Sequence, residues 1–150
     1  MTEKEILNIE QAYSESKIQH TCVCWFRDTF PHMGPLLFAV PNGGWRGTRA
    51  GAQMVYEGQV KGVADLILLH PSGSLHALCV EMKTPRKKDG RRAGAQSREQ
   101  KEWQRLVSSY GNAYHVCRGL MEFIEIVCSY LGEDTERLRA EALTKYPMYR

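Results

Sequence analysis

The segment GVADLILLHPSGSLHALCVEMKTP, residues 62–85, constrains the fold of this chain more than any other segment. It contains two apolar runs, ADLILL and LHALCVEM, which are separated by the turn-forming residues HPSG and therefore predict an antiparallel hairpin. Because both runs are almost continuously apolar, the two strands are expected to be buried on both faces. The exceptions are Asp65, at the head of the first strand, and Glu81 and Lys83, at the end of the second.

Asp65, Glu81 and Lys83 can converge if these strands pair, since Glu81 and Lys83 are two residues apart and project from the same face. Two buried carboxylates repel each other unless a positive group joins them, and Lys83 can neutralise only one. Mg²⁺ and Mn²⁺ are the divalent cations that carboxylate oxygens suit, and such an ion activates water and stabilises charge on a phosphate. The pattern predicts phosphodiester hydrolysis, with Lys83 orienting or deprotonating the water or stabilising the developing charge. Solvated strand ends or plain ion pairs are the alternative.

The rest of the chain alternates between helical and strand-like patterns. TEKE, residues 2–5, is a capping-box pattern that predicts one long helix reaching about Phe30. The later elements are a buried strand in GPLLFAVPN, a short helix over 49–57 ended by Gly58, the hairpin, a helix from Ser97 to about Tyr110, a strand in NAYHVCRG, a helix in LMEFIEIVCSYLG and a polar helical tail. This order predicts an α/β fold with a central mixed sheet flanked by helices.

Helix periodicity also indicates which residues face the core. In the helix after Ser97, the predicted inner face consists of Trp103, Leu106, Val107 and Tyr110. Trp103 is accordingly expected in the core and not on a surface that stacks on bases.

Composition narrows the class of protein further. The 150 residues suit a single domain, and no apolar run approaches the roughly 18 residues of a membrane span. Because the N-terminus is too polar for a signal peptide, a cytoplasmic location without membrane association is expected. The five cysteines form no CxxC pair and are expected to be reduced and mostly buried, and the histidines form no zinc-site pattern.

Positive charge is concentrated in one segment. Residues 83–98 hold seven Lys and Arg against the single Asp89, within a net charge of only +3. The segment is either a solvated basic loop or a surface that meets phosphate.

Five motifs together resemble the VRR-NUC branch of the PD-(D/E)XK, or restriction-endonuclease-like, nuclease superfamily in its compact stand-alone form. They are ESKIQ, LFAVPNGGWRG, GQVKGVADLILL, CVEMKTP and QSREQKEWQRL. The resemblance covers about 14–131, which would form the core of one nuclease domain, while 132–150 would form a helical C-terminal tail. One departure is Ala64, where many members carry proline before the aspartate.

The resemblance implies roles for individual residues. Asp65 would be the motif aspartate, Glu81 and Lys83 its E-x-K, Gln100 the glutamine that orders the site, and Glu15 the N-terminal acidic residue. The implied metal ligands are Asp65, Glu81, the backbone carbonyl of Met82, and Glu15 directly or through water. The implied DNA contacts come from the loop with Asn42, Gly43, Gly44 and Arg46, and from Arg49, Arg86, Lys87, Lys88, Arg91 and Arg92. Trp45 could stack on an unpaired base or pack beneath its loop.

The implied activity is that of an Mg²⁺- or Mn²⁺-dependent endodeoxyribonuclease that resembles Holliday-junction resolvases and acts as a homodimer on branched DNA. Stand-alone relatives are associated with phage and bacterial genomes, so the expected location is the cytoplasm of a bacterial or phage-infected cell. The alternatives are a nuclease for flaps or nicked duplex in a recombination or restriction system, and a non-catalytic DNA-binding module of the same fold.

Overall fold

The sheet of the computed structural model contains the predicted hairpin. The structure describes residues 1–41, 48–85 and 94–150. Within them the strands are β1 (Leu37–Ala39), β2 (Leu66–Leu68), β3 (Leu78–Met82) and β4 (Ala113–Cys117), in the spatial order β1-β2-β3-β4. The first two pairings are antiparallel and β3 pairs with β4 in parallel, so the predicted hairpin and mixed sheet are confirmed.

Helices surround this sheet. They are α1 (Glu3–Glu10), α2 (Glu15–Thr29), α3 (Thr48–Tyr56), α4 (Arg98–Ser109), α5 (Leu120–Leu131) and α6 (Thr135–Lys145), with 3-10 helices at Pro31–Leu36 and Pro147–Tyr149. No helix among 1–41, 48–85 and 94–150 is long and apolar enough to cross a membrane.

The two faces of the sheet carry cores of different size. Alternate residues of β2 and β3, such as Leu66 and Val80, join the large core that α2 and α5 complete with Phe26 and Phe123. The opposite face carries a small cluster that includes Cys79 and Tyr114, with Trp103 and Val107 of α4 packed against it. Helix α4 therefore covers the sheet face from which residues 79, 81 and 83 project.

The N-terminal helical segment is two helices, so the prediction of one long helix was wrong. Helix α1 ends at Glu10, and Ser14 begins α2 by accepting a hydrogen bond at Oγ from the Lys17 amide at 3.2 Å. Glu10 turns into the interior, where only 5% of it is exposed. Its Oε1 accepts from the Met121 amide at 3.1 Å and from the Tyr149 hydroxyl at 2.6 Å. The break therefore brings a carboxylate to the start of α5, where the free amides and the helix dipole favour negative charge.

Two further predictions need correction. Trp103 packs edge-on against Tyr114 with ring centroids 6.0 Å apart, but Leu106 and Tyr110 are 56% and 73% exposed and do not belong to the inner face of α4. The small cluster packs against only Trp103 and Val107 among the four residues of the predicted inner face. The segment predicted as a strand from GPLLFAVPN begins as a 3-10 helix, and β1 keeps three residues, of which only Leu37 is buried.

The predictions for the end of the short helix and for the cysteines agree with the structure. Helix α3 ends just before Gly58, whose φ of +106° is a conformation that glycine adopts at no steric cost. All five cysteines are free, and four of them, Cys22, Cys79, Cys117 and Cys128, are buried.

Candidate active site

Strand register brings Asp65 and Glu81 together. Leu66 is paired with Val80 in the antiparallel ladder, so Asp65, one residue before Leu66, lies opposite Glu81. Directly opposite residues project from the same face of a sheet. The Oδ2 of Asp65 accepts a hydrogen bond from the Met82 amide at 2.7 Å, which fixes the aspartate against β3.

Helix α4 supplies the residue that joins Glu81 to Lys83. Gln100 donates from Nε2 to Oε1 of Glu81 at 2.8 Å and accepts at Oε1 from the Lys83 ammonium at 2.9 Å. The same carbonyl oxygen accepts from the Ser97 amide at 2.8 Å, while the Ser97 Oγ accepts from the Gln100 amide at 3.2 Å. Gln100 is thus the third residue of a capping box, and the start of α4 is built into the site.

Glu81 lies in an environment that opposes its charge. Only 2% of the residue is exposed. Burial, followed by the charge of Asp65 and a hydrogen bond between the two acids, raises the pKa of Glu81 to about 8. Lys83, whose Nζ is 3.9 Å from Glu81 Oε1, acts in the opposite direction but does not offset these effects. Lys83 alone therefore does not neutralise the acidic pair of Asp65 and Glu81.

Glu15 lies close to the charges of Asp65 and Lys83. It is the first residue of α2, directly after the capping Ser14. Partial burial and the charge of Asp65 raise the pKa of Glu15, while Lys83 and a hydrogen bond with the Thr84 backbone lower it. Glu15 is therefore near enough to Asp65 and Lys83 to sense both charges.

The chemistry of this donor set suits an oxygen-coordinated divalent cation. Positive charge placed between Asp65 and Glu81 would remove the repulsion that raises the pKa of Glu81. One or two carboxylates, completed by water and substrate phosphate, is the usual protein contribution to a magnesium site. Within residues 1–41, 48–85 and 94–150, no group of three or more His, Cys, Asp and Glu side chains is arranged to hold a metal ion. Asp65 and Glu81 are the two carboxylates that the strand register brings together, and Glu15 is close enough to Asp65 for that charge to raise its pKa.

Sequence reasoning missed a second set of contacts to Glu81. Tyr114, on β4, has its hydroxyl 3.4 Å from Glu81 Oε2. Gln96 donates from Nε2 to that hydroxyl oxygen at 3.1 Å and to Oε1 of Gln104 at 2.9 Å. The available signal was the spacing of Gln100 and Gln104, which are four residues apart and so lie on one side of α4. Gln96 precedes the capping Ser97 and carries no such signal.

The predicted DNA-contacting residues are mostly outside the part of the chain that the structure describes. These are Asn42, Gly43, Gly44, Arg46, Arg86, Lys87, Lys88, Arg91 and Arg92, together with Trp45. Arg49 is described: it is an exposed residue of α3 and lines a surface pocket with Thr48, Ala50 and Gln53.

Thr84 and Gly94, two residues of the positively charged segment 83–98, are joined by hydrogen bonds through Arg118. Arg118 donates from Nη1 to the Thr84 carbonyl at 3.0 Å and from Nη2 to the Gly94 carbonyl at 3.2 Å. The Gly94 amide also donates to Oγ1 of Thr84 at 3.3 Å. A β-carbon added to Gly94 would lie 3.6 Å from Cδ of Lys83. Gly94 therefore lies next to Lys83, and Arg118 holds it to Thr84.

A solved structure that aligns with most of this chain is described as a VRR_NUC domain protein. It aligns with a TM-score of 0.63 and 18% sequence identity, and the alignment covers 79% of this chain and 88% of that one. This chain has the fold of that domain. The expected restriction-endonuclease-like α/β fold, with a mixed sheet flanked by helices, is confirmed. No family model matches the sequence, and the search of curated proteins found no match.

Proposed function

We propose that this protein is a metal-dependent nuclease that hydrolyses phosphodiester bonds in DNA. The observation that carries the proposal is the acidic pair: Asp65 faces Glu81, Glu81 is buried, and Lys83 is held beside it by Gln100. The likeness to a VRR_NUC domain in fold supports the same conclusion. Glu15 and the backbone carbonyl of Met82 are the further candidates for metal coordination.

The roles follow from where each group is held. Asp65 and Glu81 would bind Mg²⁺ or Mn²⁺, which when bound supplies a water of lowered pKa and positive charge next to the attacked phosphate. Lys83 carries three donors, of which one is engaged by Gln100, so the others can orient the attacking water or the phosphate oxygens. Gln100 holds Glu81 and Lys83 at a fixed separation.

Contacts to DNA are proposed to come from the basic segment 86–93 and from Arg46, Arg49 and Asn42. Lys and Arg side chains there would bind phosphates and not base edges, so the affinity should fall steeply with salt. We further propose a branched substrate, with a four-way junction as the first candidate. Paired cuts on a junction need two active sites, and one chain supplies one site, so the active form would be a homodimer. We propose the cytoplasm as its location.

Cleavage assays with labelled synthetic DNA test the proposal. Purified protein is offered a four-way junction, a flap, a nicked duplex and an intact duplex, each with Mg²⁺, Mn²⁺ or EDTA. Paired cuts on the junction that require metal are expected, together with a dimer in light scattering of the junction complex. If only the flap or the nicked duplex is cut, the proposed substrate changes from the junction to that DNA, and the proposed nuclease activity stands.

Asp65→Ala separates catalysis from binding. The variant should lose cleavage and keep salt-sensitive binding to the junction in a gel-shift assay, because Asp65 contributes no positive charge to the DNA interface. Binding without cleavage by the wild-type protein under every metal would instead favour a DNA-binding module.

A further inference from the structure

Two routes of hydrogen bonds, called arms below, reach Glu81 from residues 96–104, a segment that includes the start of α4. The first is Gln100, which donates to Oε1 at 2.8 Å. The second starts from the glutamines on either side of it in sequence, Gln96 and Gln104, and passes through the Tyr114 hydroxyl to Oε2. The two oxygens of one buried carboxylate are thus approached by different hydrogen-bond donors.

The direction of the second arm follows from which groups can donate. Gln104 presents its carbonyl oxygen to Gln96, so the Gln96 amide nitrogen is the donor in both of its contacts. The Tyr114 oxygen is therefore an acceptor towards Gln96, and its single proton is free to point elsewhere. Oε2 of Glu81, 3.4 Å away, is the acceptor on that side. This distance is longer than a normal O–H···O bond, so the contact is a weak hydrogen bond in this metal-free geometry.

Tyr114 is well fixed for such a role. It lies on β4 opposite Cys79, which places its ring on the same sheet face as residues 79 and 81. The ring packs edge-on against Trp103, and only 8% of the residue is exposed. A phenylalanine would keep this packing and remove only the hydroxyl.

We propose that Tyr114, oriented by Gln96 and Gln104, is a positioning residue that holds Oε2 of Glu81 for the divalent cation and so raises the affinity of the site for that cation. The inference rests on the proposed function, because it takes Asp65 and Glu81 as the metal ligands. Residues that orient a metal-binding side chain typically change metal affinity or activity by about 10- to 100-fold when they are replaced.

Direct Mn²⁺ binding tests the proposal without DNA. Free Mn²⁺ is measured by electron paramagnetic resonance during titration of wild type, Tyr114→Phe and Gln96→Leu. The dissociation constant should rise about 10-fold or more in Tyr114→Phe and by a smaller factor in Gln96→Leu, which leaves the hydroxyl in place. Tyr110→Phe is the matched control, since Tyr110 follows the last residue of α4, is 73% exposed and should leave the constant unchanged.

Cleavage and melting supply the other readouts. The Mn²⁺ concentration for half-maximal cleavage should rise in parallel with the dissociation constant. If the Mn²⁺ dissociation constant of Tyr114→Phe lies within twofold of the wild-type constant, the inference is overturned, whether or not the melting temperature changes. If the wild-type protein nevertheless cleaves DNA, the proposed nuclease function stands without the inference. A shifted constant in a protein that cuts no DNA would support the inference and reject the nuclease. If the wild type binds no Mn²⁺, both proposals fail.

Discussion

The buried acidic pair should make the metal-free protein less stable as the pH rises. Glu81 has an ordinary pKa of 4.5 in the unfolded chain and a pKa of about 8 in the folded protein. Between these values the folded state binds more protons than the unfolded state, so the free energy of unfolding falls as the pH increases. Replacing Glu81 by Gln keeps the shape and the side-chain polarity but removes the charge. We therefore expect Glu81→Gln to stabilise the metal-free protein at pH 8.

The size of the effect follows from the two pKa values. The interval from 4.5 to about 8 corresponds to a ceiling of about 5 kcal/mol, at about 1.4 kcal/mol per pH unit. Because this interval is an upper limit, we expect the variant to gain about 2–4 kcal/mol over wild type at pH 8. Little difference is expected near pH 4.5. Glu10 and Glu15, whose pKa values are also raised, affect both proteins equally and cancel in the comparison.

Urea denaturation in EDTA at pH 5, 6, 7 and 8 measures this difference. The exposed Glu57→Gln is the matched control and should follow wild type at every pH. Adding Mn²⁺ should stabilise wild type at pH 8 and have less effect on Glu81→Gln, because a ligand stabilises only the state that binds it. A Glu81→Gln protein that is equal to or less stable than wild type at pH 8 would refute the account of this pair.

Two further predictions concern the stability of the fold, one at Gly62 beside α4 and one at Glu10 at the start of α5. Gly62→Ala should lose about 2–4 kcal/mol of stability together with cleavage, because Gly62 has φ +89° and its added Cβ would lie 2.5 Å from the Glu99 carbonyl carbon and oxygen. Gly58→Ala, with φ +106° and no atom within 4 Å, should lose about 1–2 kcal/mol and keep cleavage, and equal losses in the two variants would contradict the steric argument. Glu10→Ala should lose about 2–4 kcal/mol by thermal unfolding, since the Met121 amide and the Tyr149 hydroxyl lose their acceptor. Tyr149→Phe should lose only about 1 kcal/mol, and a neutral Glu10→Ala would refute the capping role.

The hairpin and the acidic pair could be predicted from the sequence because local patterns determine them. Two apolar runs around a turn cluster specify an antiparallel pair, and in the register that they adopt Asp65 lies opposite Glu81. The helix predicted from Ser97 to about Tyr110 likewise agrees with α4, on which Gln100 lies. These signals depend on neighbours in sequence, which a single chain displays directly.

The contacts that could not be predicted depend on distant parts of the chain. The break between α1 and α2 follows from Glu10 reaching Met121 and Tyr149, more than 100 residues away. Tyr114 reaches Glu81 only because β4 pairs in parallel with β3 in one particular register. Leu106 is exposed because the small cluster contacts Trp103 and Val107 of α4. The helical period of the sequence does not show how many residues of the helix such a cluster can cover.

Single-turnover cleavage of a labelled four-way junction by Asp65→Asn tests the central claim most directly. Asparagine keeps the size of the side chain but removes the charge that is proposed to bind the cation. Asp28→Asn, which changes a half-exposed aspartate near Tyr146, is the matched control. The account predicts that Asp65→Asn folds and binds the junction but cuts it at least about 1000-fold more slowly with saturating Mn²⁺, a loss of about 4 kcal/mol of transition-state stabilisation, while Asp28→Asn cuts at the wild-type rate. Metal-dependent cleavage by Asp65→Asn at the wild-type rate would contradict it.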